Sequence, residues 1–569
     1  MKRDLTPLGE KEFDVLVIGG GIYGVCTAWD AALRGLSVAL IERGDFGSAT
    51  SSNSLKIIHG GLRYLQHADF KRMRESITER RVLMRIAPHL VHPLKCVMPT
   101  YGHSLKGKEV MALALWINDV VGLDRNRTLP PEKALPAGKV LSRSECLALI
   151  PGVEENGLSG AALWYDCQVY NSERLLISIL KSAVAAGAVA ANYVEMVDFV
   201  KRDDRVLGVT AQDKLTGERF EIRARVVVNN AGPWVNDVLA RLNGRQVRTG
   251  TRLSSAMNLV VKRRLFPEYA VGVWSKSRFE DADALVKKGA RLYFITPWRG
   301  YTVIGTTHDH YDGDPSRFAA TEEDVAAFLR EVNEALPTLQ VSRDEVTLVY
   351  AGLLPIDEAH PSHGDIKLLK HYQIIDHRRR DGLDGLITVV GVKFTTARDV
   401  ARHTVDRVYE HLDKAPPRCR TAETPVAGGD MESFRDFVQQ EKRKNINNLN
   451  ARVLERLLYN YGTEYDKVVK CADKKMEWLR PVDESSGVLA AEVVHAVREE
   501  MAVKLADVVR RRTELGSAEP PTDAALQTCA ELMAAELGWD AERVEQEKRE
   551  TKALYLSHSQ ILPQSHREH

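Results

Sequence analysis

Cysteine is sparse in the 569-residue sequence: Cys26, Cys96, Cys146, Cys167, Cys419, Cys471 and Cys529 are odd in number, scattered, and never in C-x-x-C spacing. That excludes a disulfide framework or a structural zinc site and suits a reducing compartment. Charge of one sign is missing too, with 79 Lys+Arg against 78 Asp+Glu and a formal charge of +1. No global field draws such a chain to nucleic acid or an acidic surface, so any anion site must be local. No run of eighteen apolar residues occurs, and Met1 to Phe13 holds no apolar h-region. Neither a membrane span nor secretion is expected, and the chain reads as cytoplasmic. Neither a G-x-S-x-G elbow nor an H-E-x-x-H helix supports a hydrolase. Repeats of solenoid period and low-complexity tracts are also lacking.

What is there begins at Phe13. Phe13 to Gly19 (FDVLVIG) reads as a buried strand, Gly24 to Arg34 as a helix and Ser37 to Glu42 (SVALIE) as a second apolar strand, one βαβ unit. Gly19, Gly21 and Gly24 form G-x-G-x-x-G between the first strand and the helix. Gly19 permits the tight turn, Gly21 a close approach of backbone to a pyrophosphate, and Gly24 close helix-strand packing. The helix N-terminus offers unpaired N–H groups to the phosphates. Glu42, about twenty residues on, is placed to accept from a ribose hydroxyl and disfavours the extra phosphate of NADP. The motif does not by itself choose between FAD and NAD.

The same grammar recurs twice. Arg225 to Asn229 runs into Ala231-Gly232-Pro233, and Leu386 to Val390 runs into Gly391 and a helix from about Thr396. Three such turns so far apart predict one sheet assembled from distant parts of the chain. Val206 to Ile222 predicts two strands about a Thr-Gly turn, and Arg291 to Thr307 is strand-like. After Pro416-Pro417 the chain becomes charged and helical in pattern. At this length two or three domains are expected.

From Ala49 the chain does not continue as a Rossmann repeat but enters ATSSNSLKIIHGGLRY, Ala49 to Tyr64. VNNAGPW (Val228 to Trp234), TPW (Thr296 to Trp298), IGTTHDHYDGDP (Ile304 to Pro315), SRDEV (Ser342 to Val346) and GVKFTTAR (Gly391 to Arg398) follow in order. This ordered set resembles the FAD-dependent glycerol-3-phosphate dehydrogenase family over most of residues 13 to 410, and the helical tail resembles that family's C-terminal cap. The resemblance implies an α/β fold: a Rossmann-type FAD-binding domain over 1-415, interleaved with a β-rich substrate domain (about 90-190 and 240-350), and a helical domain over 416-569. It implies hydride transfer from a small hydroxylated anionic substrate to flavin, then to a quinone or other acceptor. Peripheral contact with the cytoplasmic face of the inner membrane would follow; oligomeric state stays open, a homodimer included.

Carried over residue by residue, Thr50, Ser51, Ser52, His59, Gly60 and Gly61 are expected at FAD, with Ala231 and Gly232 near the dinucleotide. Met196 is expected near the adenine, and Gly391, Lys393, Phe394 and Thr395 at the isoalloxazine end. Arg63 and Lys393 are expected beside the flavin, as cations for a substrate anion. His59 is a candidate general base, because histidine ordinarily titrates at about 6.5; the reading in which it only orients flavin or loop stands beside it. Lys393 is an equal candidate. The substrate side departs from the family: Leu354 stands where an anion-clamping arginine is expected, Lys370 aligns with a second, and Ser255 to Asn258 replace a Lys-Gly-Ser-His-like segment. Another hydroxy acid, a polyol or an amine as substrate, or a non-catalytic flavin-binding subunit, are therefore alternatives.

Four other features have bland readings. His308, Asp309, His310, Asp312 and Asp314 alternate along an extended segment and read as a polar loop, with no metal site expected. Lys108 to Gly122 reads as a buried helix, with an interfacial membrane helix as the alternative. Phe70 to Ile86 reads as a half-buried helix. Lys442 to Lys444 and Arg510 to Arg512 read as solvated basic faces, without the interleaved aromatics of a nucleic-acid surface.

Overall fold

The computed structural model describes residues 1–102, 107–243, 245–276, 291–357, 369, 371–444, 446 and 449–556, with backbone alone for Arg63, Gln66, His67, Asp357 and Leu556. The apolar run Phe13–Ile18 is a central strand of the first sheet, because only such a run tolerates burial on both faces. Edge to edge, this sheet runs Gln373–Asp376, Leu386–Val390, Arg219–Asn229, Phe13–Ile18, Val38–Glu42 and Val189–Asn192. The last five are parallel: Val15 lies opposite Val226 and Val38, Val227 opposite Leu386, and Ala39 opposite Val189. The three strand-to-helix turns read from the sequence thus lie side by side. Helices Ile22–Leu33, Ser172–Ala185 and Ala397–His411 pack one face. The opposite face meets Val194–Arg202 and Arg205–Asp213, which pair antiparallel with each other and, through Arg205–Asp213, with Arg219–Asn229. The predicted pair about Val206 to Ile222 is part of this layer.

The second sheet has nine strands, in the order Val346–Asp357, Thr251–Val261, Tyr301–Tyr311, Leu292–Trp298, Ala270–Trp274, Val91–Tyr101, Leu158–Val169 and Ile57–Ile58, with Lys139–Leu141 beside Leu158–Val169. The strand-like stretch from Arg291 is two antiparallel strands about Arg299-Gly300. The β-rich segment drawn at 90-190 ends earlier, at Val169, since the helix after it covers the first sheet and Val189–Asn192 pairs in that sheet. Helix Glu322–Ala335 seals the outer face with Val325, Phe328 and Val332. From Phe434 the chain is helical, and its core joins the second sheet through Trp298 and Tyr350.

Two surface readings are overturned. Arg511 and Arg512 are 8% and 0% exposed, not solvated, because the buried carboxylates of Asp45 and Asp507 hold them. Lys442 does lie outside, paired with Glu455. Helix Lys108–Val121 is not buried: Leu115 alone is, while Leu113, Trp116 and Val120 are 55%, 62% and 43% exposed. Its apolar residues are not confined to the side that Leu115 buries. Helix Phe70–Ile86 matches its reading, with Asp69 capping the Arg72 N–H at 3.0 Å and Met73, Ile77 and Met84 buried. In the His308 segment, Asp312 pairs with Arg252, Asp309 lies by Arg291, and Asp314 accepts from the Ser316 N–H. Among the described residues no group of three His, Cys, Asp or Glu could hold a metal ion, and no helix is long and apolar enough to cross a membrane.

Candidate active site

Between the two sheets lies a cavity of about 1080 Å³, at the upper end of the ~300–1,000 Å³ usual for small-molecule sites. One end is built by the glycine turn. Gly19 has φ +105°, and a Cβ there would stand 2.6 Å from the Asn230 carbonyl oxygen. A Cβ on Gly24 would stand 1.8 Å from the Gly19 oxygen, so the helix can only cross the strand here without a side chain. Gly19 and Gly21 line the cavity while Gly24 lies behind it. Glu42 accepts from the N–H groups of Gly20 at 2.7 Å and Gly44 at 2.8 Å, and burial raises its pKa. Met196, Ala231 and Gly232 line the same end.

The segment after Ala49 forms the floor. Ser51 Oγ accepts from the Ile22 N–H at 3.0 Å, and the Thr50 hydroxyl donates to the Leu353 carbonyl at 3.0 Å. Both line the cavity; Ser52 does not. Its hydroxyl donates to the Gly47 carbonyl and its own carbonyl accepts from Lys56 Nζ at 2.9 Å, so it fastens the loop from behind instead of facing a ligand.

The GVKF turn is fastened to the first turn of the helix that the glycines open. The Tyr23 hydroxyl accepts from the N–H groups of Val392 at 3.1 Å and Lys393 at 3.0 Å and donates to the Lys393 carbonyl at 2.8 Å. A Cβ on Gly391 would strike the Tyr23 ring at 2.1 Å. Gly391, Lys393, Phe394 and Thr395 all line the cavity. The Lys393 ammonium stands 4.0 Å from the Tyr64 ring centroid, and burial, with the Arg72 charge next in weight, lowers its pKa to about 8.

His59 lines the cavity with Asp166 behind it, Nδ1 to Oδ2 at 3.3 Å. The Asp166 carboxylate also accepts from the Gly60 N–H at 2.6 Å, Arg80 Nη1 at 2.8 Å and Trp164 Nε1 at 3.3 Å. Despite burial, these partners, the His59 hydrogen bond first, hold its pKa at about 2. Gly60 lies outside the lining because a side chain there would meet Arg80 Nη1 at 2.0 Å; Gly61, with φ +89°, lines the cavity. Arg63 belongs to the 3-10 turn Leu62–His67; its side chain, and Lys370 entirely, lie outside the described residues. Leu354 faces the cavity, as do Ala256 and Asn258; Ser255 and Met257 alternate to the other side of their strand.

Asp166, Arg80 and Tyr23 escaped sequence reasoning. Asp166 had a signal, since it is the one charged residue in the mostly apolar run LSGAALWYDCQV, Leu158–Val169, and a buried charge needs a partner. Tyr23 had none, because its partners lie 370 residues away.

The glycine cradle, the half-buried acid Glu42 that closes the second strand and the volume of the cavity fit a flavin dinucleotide. A family model described as FAD dependent oxidoreductase matches residues 14–407. Fold and cleft together define an FAD-dependent oxidoreductase. A second model, the C-terminal domain of alpha-glycerophosphate oxidase, matches residues 419–544. Glycerol-3-phosphate dehydrogenase of Synechocystis sp. is 33% identical, with 96% of each chain covered, and the mitochondrial enzyme of Bos taurus is 33% identical over 95% of this chain and 73% of its own. The structure of glycerol-3-phosphate dehydrogenase from Bacillus halodurans complexed with FAD superposes with a TM-score of 0.76 at 28% identity, covering 98% of both chains. The chain belongs to the FAD-dependent glycerol-3-phosphate dehydrogenase family.

Proposed function

We propose that this chain oxidises glycerol 3-phosphate to dihydroxyacetone phosphate and passes the electrons to a membrane quinone. The observation that carries this reading is that Lys393, in the GVKF turn, and His59, backed by Asp166, line one cavity with the glycine turn. When bound, FAD supplies the two-electron acceptor for the hydride leaving the hydroxyl-bearing carbon. Asp166 holds Nδ1–H of His59, which leaves Nε2 as the acceptor for the substrate hydroxyl proton. Lys393, with Arg63 as the second cation of this reading, supplies positive charge for the phosphate. The glycine turn and Glu42 grip the dinucleotide, and Phe394 with Thr395 shields the reacting end from water. The test is anaerobic bleaching of the FAD-loaded protein against glycerol 3-phosphate, hydroxy acids, polyols and amines. Glycerol 3-phosphate should bleach fastest; no bleaching by it at millimolar concentration rejects it.

A second substrate reading rests on Leu354, an apolar side chain facing the cavity. If it marks a weakened phosphate clamp, Leu354→Arg gains one charge-assisted hydrogen bond, about 1.5–3 kcal/mol or roughly 10- to 150-fold in kcat/KM for glycerol 3-phosphate. If Leu354→Arg does not raise it and another compound bleaches best, the pocket belongs to that compound.

Attachment to a membrane surface is supported by helix Lys108–Val121. Leu113, Trp116 and Val120, three to four residues apart and so on one side of the helix, are exposed, as are Leu123 just beyond it and Phe70 at the head of helix Phe70–Ile86. Met111 and Ile117 of the same helix line the cavity, so a lipid-soluble acceptor reaches the site from the face that meets lipid.

A further inference from the structure

We infer that the helical C-terminal domain is the latch that retains FAD, acting through Arg511 and Arg512 on Asp45. Asp45 follows Glu42 by three residues, in the loop that leads from the ribose-binding acid to the floor of the cavity. The loop is tied to the glycine turn: Gly47 N–H donates to the Gly20 carbonyl at 3.0 Å, and Gly20 and Gly44 N–H both donate to Glu42. Arg43, Gly47 and Ser48 line the cavity, so the loop is one wall of the dinucleotide site.

Asp45 points the other way, into the helical domain. Arg512 Nη1 and Nη2 each stand 2.7 Å from one of its oxygens, and Arg511 Nε stands 2.5 Å away. Asn192 Nδ2 adds a donor at 3.0 Å and also reaches the Met501 carbonyl. On the far side Arg512 Nε donates to the Glu500 carbonyl at 3.0 Å, and Arg511 Nη2 to Asp507 at 2.8 Å. Asp507 accepts from the Tyr193 hydroxyl at 2.6 Å, and the Tyr193 N–H donates to the Gly44 carbonyl at 2.9 Å. The circuit therefore starts and ends on the same loop, Gly44 to Asp45, and passes through the helical domain in between. The two arginines hold the Asp45 carboxyl well below the usual carboxylate range.

Two acids and two arginines balance, which explains how four charges are tolerated in the interior. The balance is reached only with the helical domain docked. Undocked, Asp45 would lose both cations and face water instead, and the wall it anchors would lose its placement. Cofactor binding and domain docking must then favour each other, by the reciprocity of linked equilibria. Arg511 and Arg512 are positioning residues in this scheme, since neither lines the cavity.

The variant that separates latch from mere stability is Asp45→Asn with Arg512→Met in the full chain. It removes one charge of each sign, leaves Arg511 paired with Asp507, and spares the interior an orphaned ion. We expect FAD affinity, titrated by flavin fluorescence on the apoprotein, to fall roughly tenfold or more, inside the ~5–150-fold span of linked sites. The melting temperature of the apoprotein should stay near that of the parent. Arg498→Met with Glu536→Gln, an outer pair of the same domain, should leave FAD affinity unchanged. An unchanged affinity in the Asp45/Arg512 variant overturns the latch, as does an equal fall in the control. The parent protein gives a readout independent of any variant's folding: amide exchange over Leu505–Thr513 should slow when FAD is added. Exchange there that ignores FAD also overturns it.

Discussion

Asp166→Asn tests the physical core of the site. The substitution keeps size and an acceptor oxygen for the Gly60 N–H but removes the charge that Arg80 and His59 face. Two effects follow, of different size. A carboxyl held at about 2 instead of its ordinary 3.8 contributes about 2 kcal/mol of folding stability, from 1.36 kcal/mol per pKa unit. Because the folded value is the lower one, that contribution is complete above the ordinary value and is lost as pH falls through about 2. Neutralising Asp166 also leaves Arg80, 3% exposed, without a carboxylate, and breaking a buried pair costs about 3–5 kcal/mol. The larger figure contains the smaller. The Asp166→Asn protein should thus unfold in urea with about 3–5 kcal/mol less stability at neutral pH, yet remain folded if flavin is present in excess. The kinetic effect is separate: with Nδ1 of His59 no longer directed to a carboxylate, the proton acceptor loses its orientation. Flavin reduction by saturating substrate, followed anaerobically by stopped flow, should slow about 10²-fold, the lower end of general acid–base contributions. Adding His59→Ala to Asp166→Asn should slow it little further, because residues that work as a unit are not additive. A reduction rate near that of the parent, or fully additive losses, refutes the coupling of Asp166 to His59.

Lys393, protonated below about 8, should hold an anionic substrate better in that range. KM should therefore rise as pH passes above 8, and Lys393→Arg, charged throughout, should flatten the rise; a pH-independent KM in the parent contradicts it. Tyr23→Phe strips three hydrogen bonds from the GVKF turn and leaves two N–H groups without their acceptor, a loss of about 1–3 kcal/mol, read as weaker FAD retention in an equilibrium titration. Trp116→Glu removes the centre of the exposed apolar patch and should leave flavin reduction unchanged while the protein no longer co-sediments with liposomes. Equal sedimentation of parent and variant would assign the patch another role.

What could be read from sequence alone followed a physical pattern. Phe13–Ile18, Val38–Glu42 and Leu386–Val390 were legible because parallel strands buried on both faces are nearly continuous apolar runs, and the glycines because each answers to a backbone approach. The second sheet was legible only as β texture: its order depends on pairings such as Val91–Tyr101 with Leu158–Val169, which no local pattern encodes. Lys108–Val121 was misread because apolar composition states what a helix would bury, not whether a partner is present. Arg511 and Arg512 were misread for the converse reason, since their counter-ion Asp45 lies 466 residues away from Arg511. In the site, the cofactor end was readable from glycine spacing, while the acid that orients His59 was a single Asp in an apolar strand.

The central proposal is that hydride leaves the hydroxyl-bearing carbon of glycerol 3-phosphate at this cavity. Anaerobic mixing of the FAD-loaded protein with glycerol 3-phosphate, protiated or deuterated at that carbon, measures it directly. The account predicts loss of the yellow oxidised flavin spectrum, slower with the deuterated substrate, with dihydroxyacetone phosphate formed in step. A flavin that stays oxidised at millimolar substrate would contradict it.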